Sequence, residues 1–318
     1  MHVGVVGAGR IGAFHARTLS SLPDVDRVTV ADVDAARGDV ATADELLARD
    51  VDAIVIATPT AAHAALVMLA AEAGLPAFCE KPVALDLDAL DALIDAVARA
   101  GTLVQVGFQR RFDEEYVAAR DAVAAGAIGT LLVLRAATHD PAPPGEDYIA
   151  GSGGIFRDLH IHDLDAISFV AGQEIVEVYA AGAVRETPWF AAHGDVDTAA
   201  AVVTLASGAL GVITGTRHDP LGYDVRLEVF GTADSLGVGL VDGLALHAPG
   251  TPAVPGHPHF LRRFDAAYRK ELAVFVATVR DGGESACPLE VARAALAAAI
   301  AADRSRAEHW PVRVENRH

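Results

Sequence analysis

Several residue types are scarce in this sequence of 318 residues. It holds two cysteines, two methionines and two tryptophans, aromatic residues make up 6% of it, and of its 25 basic residues only Lys81 and Lys270 are lysines. Cys79 and Cys287 stand far apart with no metal or redox spacing, which argues against a disulfide framework and fits a reducing compartment. Positive charge is also short: 25 Lys and Arg face 43 Asp and Glu, for a net charge of −18. A surface this acidic repels a phosphate backbone, and both halves of the chain share the excess, so nucleic acid is not an expected partner.

Uninterrupted hydrophobic runs are missing too. Residues 53–71 and 198–216, 19 in each case, carry no Asp, Glu, Lys or Arg and have the length of a membrane span. Pro59 and His63 break up the first, however, and Ser207-Gly208 splits the second into two strand-like halves. The opening Met-His-Val-Gly-Val-Val-Gly lacks the basic stretch, apolar run and cleavage site of a signal peptide. A soluble, cytoplasmic protein without membrane partners is expected. With 52% hydrophobic residues the composition is far from disordered, and the length suits two domains.

Up to about residue 117, short β-branched runs (3–6, 27–31, 53–57, 77–79, 103–107) alternate with Ala/Leu-rich helical patterns (10–21, 43–48, 61–73, 86–100). Such alternation predicts a parallel α/β sheet that binds ligands beyond the carboxyl ends of its strands. After a helix near 113–125 and a strand near 130–138 comes a helix over 155–171, then strand-like text from 174 to 247 and helices near 261–280 and 288–302. That pattern predicts an α+β domain with a mostly antiparallel sheet. The expected division is 1–117 for the parallel α/β domain and 118–318 for the α+β domain.

Gly7-Ala8-Gly9-Arg10-Ile11-Gly12 follows a buried-looking strand and opens a helix, so its glycines would let backbone approach a pyrophosphate at the helix N-terminus. Asp32 lies about 20 residues beyond Gly12, at the end of the second strand, where a carboxylate bonds the ribose hydroxyls. A carboxylate there repels the 2′-phosphate of NADP, which favours NAD. Arg37 is close enough in sequence to receive a phosphate, so NADP stays open.

Thr58-Pro59-Thr60 leading to His63, and Cys79-Glu80-Lys81-Pro82, end the next strands on the same edge. In a chain that writes Arg at nearly every basic position, a retained lysine at a strand end is conspicuous, because Lys offers a compact charge with an adjustable pKa. Further on, Asp158, His162 and Asp165 would fall within roughly 60° of one another on a continuous helix. A histidine can take a proton near neutral pH, and a neighbouring carboxylate can orient it. His160 and His162 would point about 200° apart on that helix, and no metal site is expected.

Taken in order, these motifs resemble the Gfo/Idh/MocA oxidoreductases, and within them the inositol 2-dehydrogenases. The likeness extends through Val106-Gly107-Phe108-Gln109-Arg110-Arg111-Phe112-Asp113, Gly194-Asp195-Val196-Asp197, Gly222-Tyr223-Asp224 and Arg262-Arg263-Phe264 with Tyr268. It implies a Rossmann dinucleotide-binding domain over 1–117 followed by an open-faced antiparallel sheet over 118–318 for substrate binding and oligomerisation, with Lys81, Asp158 and His162 as the catalytic set. Thr58, Pro59, His63, Glu80 and Arg110 would lie by the cofactor, Asp165 would bind substrate hydroxyls, and the chain would form a homotetramer. The activity implied is NAD-dependent oxidation of a ring hydroxyl of a cyclic polyol. A glycosidase or eliminase that recycles NAD, and a non-catalytic sugar or nucleotide sensor, are the alternatives on the same fold. Relatives of this kind often carry Arg at the position of His139, Tyr at that of Leu221 and a Trp before Arg262. Those departures leave myo-inositol, another inositol isomer and a pyranose as alternatives.

Overall fold

The computed structural model describes residues 1–239 and 257–317. The chain divides into two compact units, Met1–Phe112 with Ala266–Arg293 and Asp113–Asp265 with Ala294–His318. Each unit is thus assembled from two chain segments, where a single cut after residue 117 was expected.

In the first unit, strands β1 (His2–Val6), β2 (Arg27–Ala31), β3 (Ala53–Ile56), β4 (Ala77–Glu80) and β5 (Val104–Gly107) alternate with helices α1 (Arg10–Leu19), α2 (Ala43–Leu47), α3 (His63–Glu72) and α4 (Leu87–Ala100). The strands pair in parallel in the order β2-β1-β3-β4-β5. Strands β3, β4 and β5 are buried along their whole length, as expected for a sheet with both faces covered. Thr42 and Asp86 cap α2 and α4 by accepting from the amides of Glu45 and Ala89, and Gly101 closes α4 in the left-handed conformation. Strand order reverses at β1, so the crevice at the carboxyl ends of β1 and β3 is the switch point where such sheets take their ligand.

The second segment of this unit, Ala266–Arg293, contains most of the helix Asp265–Asp281. Leu272, Phe275 and Val276 form one of its stripes and are buried with Val3, Val5, Ala53, Val55 and Phe78. Spacing in the sequence reveals such a stripe, but says nothing about which surface it will cover.

The second unit is built on β6 (Leu131–His139), β7 (Ile175–Ala183), β8 (Thr198–Leu205), β9 (Leu210–Thr216), β10 (Asp224–Gly231), β11 (Ser235–Val238) and β12 (Val312–Arg313). They form a sheet in the order β11-β10-β6-β9-β8-β7-β12. Every pairing is antiparallel except β6 with β9. Residues alternate between a buried face and an outer face that leaves Tyr179, Val202 and Leu210 exposed. The end of the expected strand region, residues 240–247, lies outside the described residues. Helices α5 (Glu114–Ala124), α6 (Glu146–Ser152), α7 (Ile155–Asp158) and α8 (Ile161–Ala171) complete the part that matters below. Among the described residues, no helix is long and apolar enough to cross a membrane.

The single helix expected over 155–171 is interrupted. The amide of His160 bonds to the carbonyl of Ile155, five residues back, and the amides of His162 and Asp163 then bond only three residues back. One wide turn followed by tight ones breaks the regular ladder. Asp158 therefore ends α7, while His162 and Asp165 share α8.

Candidate active site

The glycines of the first turn have separate tasks. Gly7 has a φ of 93°, and a Cβ there would stand 2.7 Å from the carbonyl oxygen of Ala57. A Cβ on Gly12 would come within 1.9 Å of the Gly7 carbonyl oxygen, so only glycine lets α1 pack this close to the turn. At Gly9 a Cβ would meet nothing within 4 Å. The helix beyond it, beginning with Arg10 and Ile11, has no side-chain cap. Its first amides and the positive end of its dipole are what an anion needs.

Asp32 follows β2 on the same edge. Its Oδ1 accepts from the Asp34 amide at 2.8 Å and its Oδ2 from the Ala8 amide at 2.6 Å, and these two bonds hold the carboxyl below its usual range. The carboxylate is charged where ribose hydroxyls would bond and where a 2′-phosphate would be repelled. Arg37 pairs instead with Asp34, at 3.1 Å on the surface. An open helix terminus beside an ionised Asp32 fits NAD.

The loops after β3 and β4 are braced by His63. Its ring is buried, with Nδ1 2.8 Å from the carbonyl oxygen of Pro82 and Nε2 2.8 Å from that of Thr58. Both polar atoms of a residue expected beside the cofactor are therefore engaged in holding Thr58, Pro59 and Lys81 in place. Glu80 turns inward, its Oε1 2.6 Å from Nε2 of His15 on α1. Near this pair, the carboxyl oxygens of buried Glu271 have no hydrogen-bond partner among the described residues. Burial, and then the charge of Glu80, push the Glu271 carboxyl well above its ordinary value. Lys81 is half-buried, and Arg110 is buried in the 3-10 turn Gln109–Phe112 that follows β5. The parallel sheet thus brings residues 7–12, 32, 58–63, 80–81 and 110 to its carboxyl edge.

In the second unit, buried Asp158 is the centre of a charged web. Its Oδ1 accepts from the Tyr148 hydroxyl at 2.8 Å and its Oδ2 from Nη2 of Arg217 at 2.7 Å, while Nη1 of Arg217 donates to Asp140 at 3.0 Å. Arg217 is itself buried, which alone would weaken its charge, but Asp158 and Asp140 more than offset this and hold it cationic. His162 is half-buried and Asp165 buried on α8. His160, the other histidine of the pair, is fully buried in a different network: its Nδ1 lies 2.8 Å from Asp163, which also accepts from the Thr138 hydroxyl at 2.7 Å. Sequence reading overlooked Tyr148, Asp140 and Arg217, and also His15 and Glu271. Arg217 ends the charge-free stretch 198–216, but no spacing links it to Asp158.

Residues 1–108 match the family model described as oxidoreductase family, NAD-binding Rossmann fold, and residues 116–237 match the GFO/IDH/MocA C-terminal domain. The chain belongs to the Gfo/Idh/MocA family. Within the family it is 38% identical to the inositol 2-dehydrogenase of Rhizobium meliloti, covering 96% of this chain and 96% of that one. It is 37% identical to the myo-inositol 2-dehydrogenase of Thermotoga maritima, over 99% of both. A solved structure of scyllo-inositol dehydrogenase from Lactobacillus casei, with bound cofactor NAD(H) and scyllo-inositol, superposes with a TM-score of 0.85 at 27% identity, over 98% of each chain. The chain is an NAD-dependent oxidoreductase acting on a CH–OH group, with its NAD-binding Rossmann fold in residues 1–108.

Proposed function

We propose that the enzyme oxidises one secondary ring hydroxyl of an inositol, or of a closely related cyclic sugar, to a ketone. The observation that carries this reading is 37–38% identity to two inositol 2-dehydrogenases over nearly the whole chain; Lys81, Asp158 and His162 are the residues that the resemblance to the family puts forward as the catalytic set. Residues 1–117 would serve the cofactor and 118–318 the substrate, apart from the later segment that joins the first unit.

When bound, NAD supplies the acceptor for the hydride leaving the carbinol carbon. Gly7, Gly9, Arg10, Ile11 and Gly12 hold its pyrophosphate, Asp32 its ribose, and Thr58, Pro59 and Arg110 the nicotinamide half. His63 and Glu80 act on the cofactor through the loops they brace. His162 takes the hydroxyl proton as general base. The ammonium of Lys81 stabilises the negative charge that develops on the substrate oxygen, a role for a preorganised cation. Asp158 accepts from a substrate hydroxyl and favours the protonated form of His162, and Asp165 binds further hydroxyls. The outer sheet face, with Tyr179, Val202 and Leu210 exposed, supports a homotetramer in which that face is covered by another copy.

The test is to mix the protein with NAD and a panel of inositol isomers and pyranoses while following NADH absorbance. One or more inositols should reduce NAD. A panel without any NADH formation would overturn the reading.

A further inference from the structure

We infer that Tyr148 and Arg217 are positioning residues for the reaction, keeping the Asp158 carboxylate charged and in one orientation, with Asp140 anchoring Arg217 from its other side. The inference rests on the reading of Asp158 as a catalytic residue.

A carboxyl as buried as Asp158, at 6% exposure, takes up a proton unless donors hold its charge. Here each oxygen has one: the Tyr148 hydroxyl on Oδ1 and the Arg217 guanidinium on Oδ2. A carboxylate offers about four lone-pair directions, and donors on both of its oxygens fix its plane. The fork of Arg217 reaches two different carboxylates, Asp158 through Nη2 and Asp140 through Nη1. A lysine is a single point of charge and cannot span such a pair in the same way.

The sheet places these groups. Strands β6 and β9 are the parallel pair, and their register ends with His139 opposite Thr216. The next residues, Asp140 and Arg217, therefore emerge side by side. Their backbones are tied as well, the Asp140 amide to the carbonyl of Thr216 at 2.9 Å and the Arg217 amide to that of Asp197 at 2.8 Å. An antiparallel partner for β6 here would send its following residue to the opposite end. Tyr148 arrives from α6, which turns back toward α7 through Gly153 and Gly154 at φ of 84° and 91°. Two carboxylates and one guanidinium leave one net negative charge in the web.

Tyr148→Phe, Arg217→Lys and Arg217→Ala test this in the full-length enzyme, against the polyol that the wild type oxidises. For Tyr148→Phe, kcat should fall about tenfold, the scale of a hydrogen bond to a charged group, with the KM for NAD, NADH binding and Tm unchanged. Arg217→Lys should keep the fold and lose most of kcat, and added guanidinium ion should restore part of the activity of Arg217→Ala. Wild-type kcat in Tyr148→Phe overturns the inference, as does loss in Arg217→Ala that follows Tm and resists guanidinium. If Arg217→Ala does not fold, Tyr148→Phe decides. A wild type inactive with NAD on every polyol overturns the dehydrogenase reading and the inference with it, whereas an active wild type with unaffected variants overturns the inference alone.

Discussion

The glycine turn of the first unit and the carboxylate web of the second solve opposite electrostatic problems. A chain of net charge −18 must attract a doubly negative pyrophosphate, and in the proposed reading the main-chain amides at the uncapped end of α1 supply that attraction. In the second unit the buried guanidinium of Arg217 pairs with two carboxylates, Asp158 and Asp140, and we infer that it keeps Asp158 charged where water is scarce. Recognition by main chain needs six consecutive residues. Recognition by side chains needs donors drawn from loops that lie far apart in sequence.

The largest effects should come from the groups proposed to carry the chemistry. Lys81→Ala and His162→Ala should each lower kcat by about 10²–10⁴-fold, the usual contribution of a positioned acid-base or charge-stabilising group. Steady-state kinetics check this, and near-normal turnover in both variants would remove the assigned roles. A second pair of variants separates packing from recognition within the glycine turn. Gly12→Ala should cost about 1–3 kcal/mol of stability, since its Cβ would overlap the Gly7 carbonyl, whereas Gly9→Ala should leave Tm unchanged and weaken NADH binding. Equal losses of Tm in the two would break the contrast between a packed and an open glycine.

The smallest effect concerns Glu271, a buried carboxyl without the guanidinium that Asp158 enjoys. Its folded pKa lies above the ordinary value of 4.5, so the folded chain keeps a proton that the unfolded chain releases. The resulting penalty is absent below the unfolded pKa and grows as pH rises toward the folded one. Glu271→Gln removes it, so Tm should rise at about pH 8 and stay level at about pH 4. A lower Tm at the higher pH would mean that the charged form is the one the fold uses.

What could be read from the sequence follows the same division. The glycine turn, Asp32 and the Lys81 loop were legible because each lies within a few residues of a strand end, and strand ends show as β-branched runs meeting turn residues. The parallel sheet and the mostly antiparallel one were legible for the same reason. The web around Asp158 was not, because Asp140 and Arg217 meet only through the register of β6 with β9. The wide turn at His160 was equally hidden, since the residues on either side of it keep helical spacing. The docking of the helix Asp265–Asp281 on the first sheet was hidden too, because its stripe of Leu272, Phe275 and Val276 would suit any apolar face. Scarcity was informative in one case: with two lysines in the chain, Lys81 drew notice to a strand end, and it does follow β4 at the carboxyl edge of the parallel sheet.

Hydride transfer itself is tested most directly with a polyol carrying deuterium on the reacting carbinol carbon, incubated with the enzyme and NAD. Deuterium should appear on C4 of the nicotinamide in NADH, with ketone formed in equal amount and a slower rate than for the unlabelled polyol. Product formed without net NADH, or deuterium lost to water, would contradict a dehydrogenase and point to elimination or hydrolysis with a recycled cofactor.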